Sequence, residues 1–276
     1  MASGNIDQHD PLEALSALSS VFANASAGEE EGATMSLLDH LEELRWRIFK
    51  SLIAIAIFSV VAFIFRDTIV HFLEAPLPKE ANVLAQNTPG GKLVVTGLME
   101  GFTVFLLISV AAGIVMSLPV ILYQTWAFIA PGLYAHEKKK ALPFIGIGIV
   151  LFVVGITLGY IVLRFPVEFL VSFASSSFTE LVTANSYFTF VAFFVLAFGL
   201  IFELPLVLTF MAQIGLVSVD TLRQKRATAH IGMWIASTFL TPGADIYSPI
   251  ILGAAMSFLY ELTIFFIRLT VKQPTS

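Results

Sequence analysis

The stretch YFTFVAFFVLAFGLIFELPLVLTFM, Tyr187–Met211, is 25 residues long and holds one ionisable side chain, Glu203. A helix needs about 20 mainly apolar residues to cross about 30 Å of hydrocarbon, whereas a barrel strand needs about 9–11. Only those two structures satisfy their own backbone groups in lipid, so the length selects a membrane-spanning helix. Pro205 brings no N–H, which frees the carbonyl of Ile201 one turn earlier and predicts a kink beside Glu203.

Working outward on the same criterion gives five further segments: Ile48–Phe65, Phe102–Tyr123, Leu142–Leu163, Ala227–Leu240 and Pro249–Leu269. The composition agrees. Of 276 residues, 57% are hydrophobic and 13% charged, about half the charge of an ordinary soluble domain. That balance excludes a soluble enzyme, a disordered chain and a nucleic-acid binder, and a net charge of −5 offers no broad face for a polyanion. With no cysteine there is neither a disulfide framework nor a thiolate metal site. The fifth segment, 14 residues long, reaches only about 21 Å at 1.5 Å per residue. The turn Thr241-Pro242-Gly243-Ala244-Asp245 follows it closely, so the last two segments are expected to form a helical hairpin.

Lysine and arginine set the expected orientation. With the N-terminus inside, Arg45, Arg47, Lys50, Lys138, Lys139, Lys140, Arg223, Lys225, Arg226, Arg268 and Lys272 are cytoplasmic; Arg66, Lys79, Lys92 and Arg164 are outside. Eleven against four predicts six spans with both termini cytoplasmic. Three regions follow: 1–34, an acidic extension without Lys or Arg that reads as a disordered tail; 35–269, the membrane domain; and 270–276, a short cytoplasmic tail.

Several polar residues stand out against this background. Ser36 and Asp39 resemble a capping box, and Leu37, Leu41, Leu44 and Ile48 form a stripe, which predicts a short amphipathic helix running into the first span. Glu43 and Arg47, four apart, can pair on its surface. Trp126, Phe128 and Tyr134 suit an aromatic belt, with Pro131-Gly132 as a helix break and Glu137 beside three lysines. A carboxylate there can balance the lysines or take a guanidinium through bidentate bonds. Glu203 lies at membrane depth, where a charge costs about 2.5–3.5 kcal/mol on insertion scales, and is expected to face the protein interior. Glu261 sits nearer the cytoplasmic end, where snorkelling suffices. Gly155-x-x-x-Gly159 permits close helix approach but is common in apolar segments. The loop from Arg66 to Glu100 is expected to cap the outer mouth, and Asp245 to cap a helix N-terminus. No metalloprotease, nucleophile-elbow or P-loop motif is present. On the residues alone, a protein-handling receptor, a proton-coupled solute transporter using Glu203 and a membrane scaffold all stand.

The order His40-Leu-Glu-Glu-Leu-Arg45, Ala75-Pro76-Leu77, Glu100-Gly-Phe102, Tyr123-Gln124-x-Trp126-x-Phe128-x-x-Pro131-Gly-Leu133, Glu137-Lys138, Phe202-Glu203-Leu-Pro205 and Leu240-Thr241-Pro242 resembles the TatC family. TatC is the receptor subunit of the twin-arginine protein translocase. The resemblance runs from about Met35 to Leu269. It implies an all-α polytopic membrane protein: six transmembrane helices in a cupped bundle, both termini cytoplasmic, with short fifth and sixth helices, in the bacterial cytoplasmic (inner) membrane. It also implies binding of twin-arginine signal peptides of folded proteins, recruitment of the single-span partners TatA and TatB, assembly with other TatC copies, and energy from the transmembrane proton gradient. Neither a cofactor, a metal nor catalysis is implied. By motif position, Glu43 and Glu137 would meet the signal arginines, with Phe128 and Arg45 in the same patch. Glu203, Gln124 and Thr241 would be the polar residues tied to partner interaction, and Pro76 and Asp245 structural residues of the outer face. The turn before Asp245 is one residue longer than the family's usual Thr-Pro-Pro-Asp, and Pro249 stands where a polar residue is usual.

Overall fold

The computed structural model describes residues 37–77, 93–129, 141–175, 182–241 and 245–270. The expected Ser36 cap, the Pro131-Gly132 break, Glu137 with its lysines, the middle of the 66–100 loop, residues 242–244 and both tails lie outside these residues. The chain divides into two units, Met1–Trp46 and Arg47–Ser276, and helix packing is described within the second.

Among the described residues the regular structure is helical, apart from one parallel bridge between Val94 and Thr183. In chain order the helices are α1 (Leu37–Ile64), α2 (Arg66–Glu74), α3 (Glu100–Ile129), α4 (Ala141–Val162), α5 (Arg164–Ser175), α6 (Ala184–Ile201), α7 (Leu204–Gln213), α8 (Val219–Gln224), α9 (Arg226–Leu240) and α10 (Tyr247–Thr270). The amphipathic segment is no separate element. It is the first part of α1, which continues without a break because Leu37–Ile64 contains neither Gly nor Pro.

Five segments are long and apolar enough to cross a membrane: Leu38–Ile64, Glu100–Ile129, Pro143–Phe173, Ala184–Gln213 and Tyr247–Arg268. The segment expected as the fifth span is α9, whose 15 residues reach about 22 Å and fall short of the hydrocarbon thickness. The expectation of a short final helix is overturned: α10 has 24 residues, about 36 Å. Its start explains the length. Asp245 Oδ1 accepts from the Ser248 backbone N–H at 2.6 Å, and Pro249 falls in the first turn, where a missing N–H costs little.

The paired segment α6–α7 is central. α6 packs against α3 and α4, α7 against α10, and α9 lies along α10. Phe194, Phe198 and Val191 of α6 are completely enclosed, as are Leu252 and Ile267 of α10. The α4–α6 contact is made by glycine. A Cβ on Gly155 would stand 2.7 Å from the Phe198 carbonyl oxygen and from Phe202 Cβ; one on Gly159 would stand 2.7 Å from Phe198 Cβ. From the other side, a Cβ on Gly199 would lie 2.8 Å from the Phe152 ring. The Gly155–Gly159 pair, of little weight as a pattern, is therefore a true packing surface in this chain.

Polar bonds tie the helices at one end. Glu100 Oε2 accepts from Thr96 N at 2.5 Å, Thr96 Oγ1 at 2.7 Å and Gly97 N at 3.0 Å. Its Oε1 accepts from Asn185 N at 3.3 Å, so one carboxylate joins the starts of α3 and α6. At the same end α2 is held by two tyrosines: Tyr160 Oη donates to the Phe72 carbonyl at 2.6 Å and Tyr187 Oη to the Leu73 carbonyl at 2.7 Å.

The glycine contact is directly testable. Gly155→Ala should destabilise the protein by about 1–3 kcal/mol, as overpacking against backbone does. Gly146→Ala, on the same helix with nothing within 4 Å of its added Cβ, should not. Thermal unfolding of both variants in detergent separates them; equal midpoints would show that α4 and α6 do not meet through Gly155.

Candidate functional site

Three groups of residues singled out in the sequence fall in three places. At one end, Gln124 near the end of α3 accepts a hydrogen bond at Oε1 from Arg47 Nη1 at 3.3 Å, which joins α1 to α3. Phe128, half-buried, lies one turn further along α3. In the first unit, Glu43 and exposed Arg45 lie on the first part of α1, and Glu43 Oε2 is 3.9 Å from His40 Nδ1. Glu137 lies outside the described residues.

Glu203 occupies the break between α6 and α7. Phe202 N–H still donates to the Phe198 carbonyl, but Glu203 N–H donates three residues back, to Leu200, and the helix resumes with Val207 N–H on the Glu203 carbonyl. Pro205 lies in the first turn of α7, so the expected kink falls where its missing N–H places it. The side chain is buried, and neither carboxylate oxygen has a hydrogen-bond partner among the described residues. Gly148 of α4 makes the room: a Cβ there would stand 3.2 Å from Glu203 Oε2, 2.9 Å from Leu122 Cδ1 and 3.0 Å from Leu206 Cδ2. An acceptor group is thus held at membrane depth, walled by α3, α4 and α7, with its bonding capacity unspent among the described residues.

At the other end, Pro76 follows α2 just beyond the two tyrosine anchors. Asp245 is buried and caps α10. Thr241 is buried at the C-cap of α9, where its hydroxyl donates to the Thr238 carbonyl at 3.3 Å and its N–H to the Ser237 carbonyl at 3.2 Å. These are the bonds of helix ends.

Comparison with known proteins bears on this arrangement. The family model described as "Sec-independent protein translocase protein (TatC)" matches residues 39–254. The chain is 36% identical over 249 residues to a Sec-independent protein translocase protein TatC of Desulforapulum autotrophicum, covering 90% of this chain and 89% of that one. It is 33% identical over 242 residues to the protein of the same name from Escherichia coli K12, covering 86% and 90%. Its fold matches the crystal structure of a twin-arginine translocase receptor, TatC, with a TM-score of 0.71 and 32% identity, over 84% of this chain and 100% of that one. The chain belongs to the TatC family. It is a multi-pass membrane protein and a component of a protein translocase, a transport protein rather than an enzyme.

Within this TatC-family chain the sequence reading overlooked several residues. Gly148 carried a faint signal, a glycine in a span with no turn to make. Tyr160 and Tyr187 resembled ordinary interface tyrosines. Glu261 has partners on the neighbouring helix: its Oε2 accepts from Arg226 Nη2 at 2.5 Å, and its Oε1 lies 3.1 Å from His230 Nε2, so it bridges α9 to α10. Arg226 and His230 one turn apart, with a lone carboxylate in the next span, were the available signal.

Because Glu203 forms no hydrogen bond among the described residues, replacing it by an apolar side chain removes a desolvation cost of about 1–3 kcal/mol. Glu203→Leu should therefore leave the unfolding midpoint in detergent unchanged or higher. A midpoint lowered by several degrees would show that the carboxylate serves the fold itself.

Proposed function

We propose that this protein is the signal receptor of a twin-arginine translocase, binding twin-arginine signal peptides of folded proteins through Glu43 and Glu137, with Phe128 and Arg45 beside them. The observation that carries this reading is the match to a twin-arginine translocase receptor over 84% of this chain and 100% of that one, supported by acidic residues on α1 in a chain segment otherwise expected to be basic. A guanidinium is a planar fork that pairs bidentately with a carboxylate, whereas an ammonium is a point charge. A pair of carboxylates that took up both side chains would therefore favour Arg-Arg over Lys-Lys. Glu203, Gln124 and Thr241 belong to the reading as polar points for TatA- and TatB-type single-span partners, and the unspent acceptor at Glu203 supports that role. Other copies of the chain complete the assembly, and transport draws on the proton gradient. The residue 35–269 region acts as the transport domain in the bacterial inner membrane, with α9 as a sixth, short span and both termini cytoplasmic. Residues 1–34 are an added tail.

Binding of the detergent-solubilised protein to an Arg-Arg signal peptide and to its Lys-Lys counterpart tests the site. The Arg-Arg peptide should bind at least about tenfold more tightly, since a charge-assisted hydrogen bond contributes about 1.5–3 kcal/mol, and added salt should weaken both. The Glu43→Ala, Glu137→Ala double substitution should abolish the preference; a preference that survives it would remove these residues from the site. The topology has its own check. A reporter fused after Ser276 should be active in the cytoplasm, and activity outside would overturn the six-span arrangement.

A further inference from the structure

Between α4, α7 and α10 lies a groove of about 390 Å³. Pro205, Leu206 and Thr209 of α7 form its floor, Ile147 of α4 one wall, and Leu262 and Phe266 of α10 the other. Among the described residues no ionisable side chain lines it, and the hydroxyl of Thr263, one of its few polar groups, is spent on the Leu259 carbonyl at 2.6 Å. A space of that size would hold on the order of a dozen waters at about 30 Å³ each, and this lining offers them too few partners. The rims are open: Ile147 and Phe266 are each about half exposed. The occupant is therefore apolar and enters from the side.

Its length identifies it. Along α7 the groove runs from Gln213 to Pro205, about 12 Å at 1.5 Å per residue, close to the half of a ~30 Å hydrocarbon core that one leaflet occupies. It stops where α7 meets the break at Glu203. A transmembrane partner helix, about 10 Å across and needing the full membrane height, does not match a slot that ends halfway. A linear chain reaching in from one surface does. The back wall is firm: Phe144 is buried, with Trp126 stacked on it at 5.3 Å between ring centroids and Phe210 edge-on at 6.0 Å. At the open end, exposed Arg268 follows Phe266 on α10, and its guanidinium suits a phosphate at the mouth. We propose that this groove holds one acyl chain of a phospholipid as a resident ligand, retained where the surrounding bulk lipid exchanges.

Photo-crosslinking distinguishes a held lipid from a passing one. Ile147 is replaced by p-benzoylphenylalanine, and so, in a second protein, is Val153, an exposed residue of the same helix outside the groove. Both are extracted from native membranes, purified in detergent and only then irradiated. Intact mass should show an adduct of phospholipid mass at Ile147 and little at Val153. Adding Leu262→Trp, which fills the groove, should lower the Ile147 adduct at least about tenfold. If that variant fails to accumulate, Thr209→Phe fills the floor and carries the same expectation. An adduct of protein mass, equal lipid yield at both positions, or an undiminished adduct in the filled groove would each overturn the proposal.

Discussion

Helices in a bilayer gain nothing by moving leucine from lipid to leucine, so α4 and α6 must meet through shape. They do so because Gly155, Gly159 and Gly199 leave space that Phe198, Phe202 and Phe152 fill. The rest of the bundle depends on that contact. It sets α6 in the centre, where α3 can pack on its other side, and brings Gly148, further along α4, up to Glu203. The α1–α3 crossing follows the same rule: a Cβ on Gly113 would stand 2.8 Å from the backbone nitrogen of Ser59.

Polar bonding is concentrated at the ends of the helices, and steric fit in between. Glu100, Tyr160, Tyr187 and Asp245 secure one end; Arg47 with Gln124, and Arg226 and His230 with Glu261, secure the other. A hydrogen bond near the interface satisfies groups that would otherwise compete for water, whereas one at mid-membrane has to be formed entirely within the chain. Glu203 is the exception, a carboxylate at depth with no hydrogen bond among the described residues. The helix break places it there, and the same break ends the groove beneath it. One missing N–H, at Pro205, thus divides the central segment into a packed half and a half with an open flank.

Much of this was legible in the residues. Spans were readable because hydrocarbon thickness converts directly into helix length, and the kink at Glu203 because proline's missing N–H has one consequence. Asp245 was readable as a cap from its place before a helix. The final helix was misjudged as short because family resemblance was followed over its own run of apolar residues from Tyr247 to Thr270. Glu261 was read as a snorkelling side chain because its partners, Arg226 and His230, are 35 and 31 positions away.

By itself the sequence determined the solvent of this protein and the family to which it belongs. Each depends on composition or order along the chain, which lipid reads segment by segment. The tertiary structure alone decided which glycines are contacts, that Gly148 makes room for Glu203, which tyrosines hold α2, and where α4, α7 and α10 leave a groove. Those properties arise when surfaces distant in sequence are brought within a few ångströms, and a one-dimensional pattern carries the distance along the chain but not the distance across it.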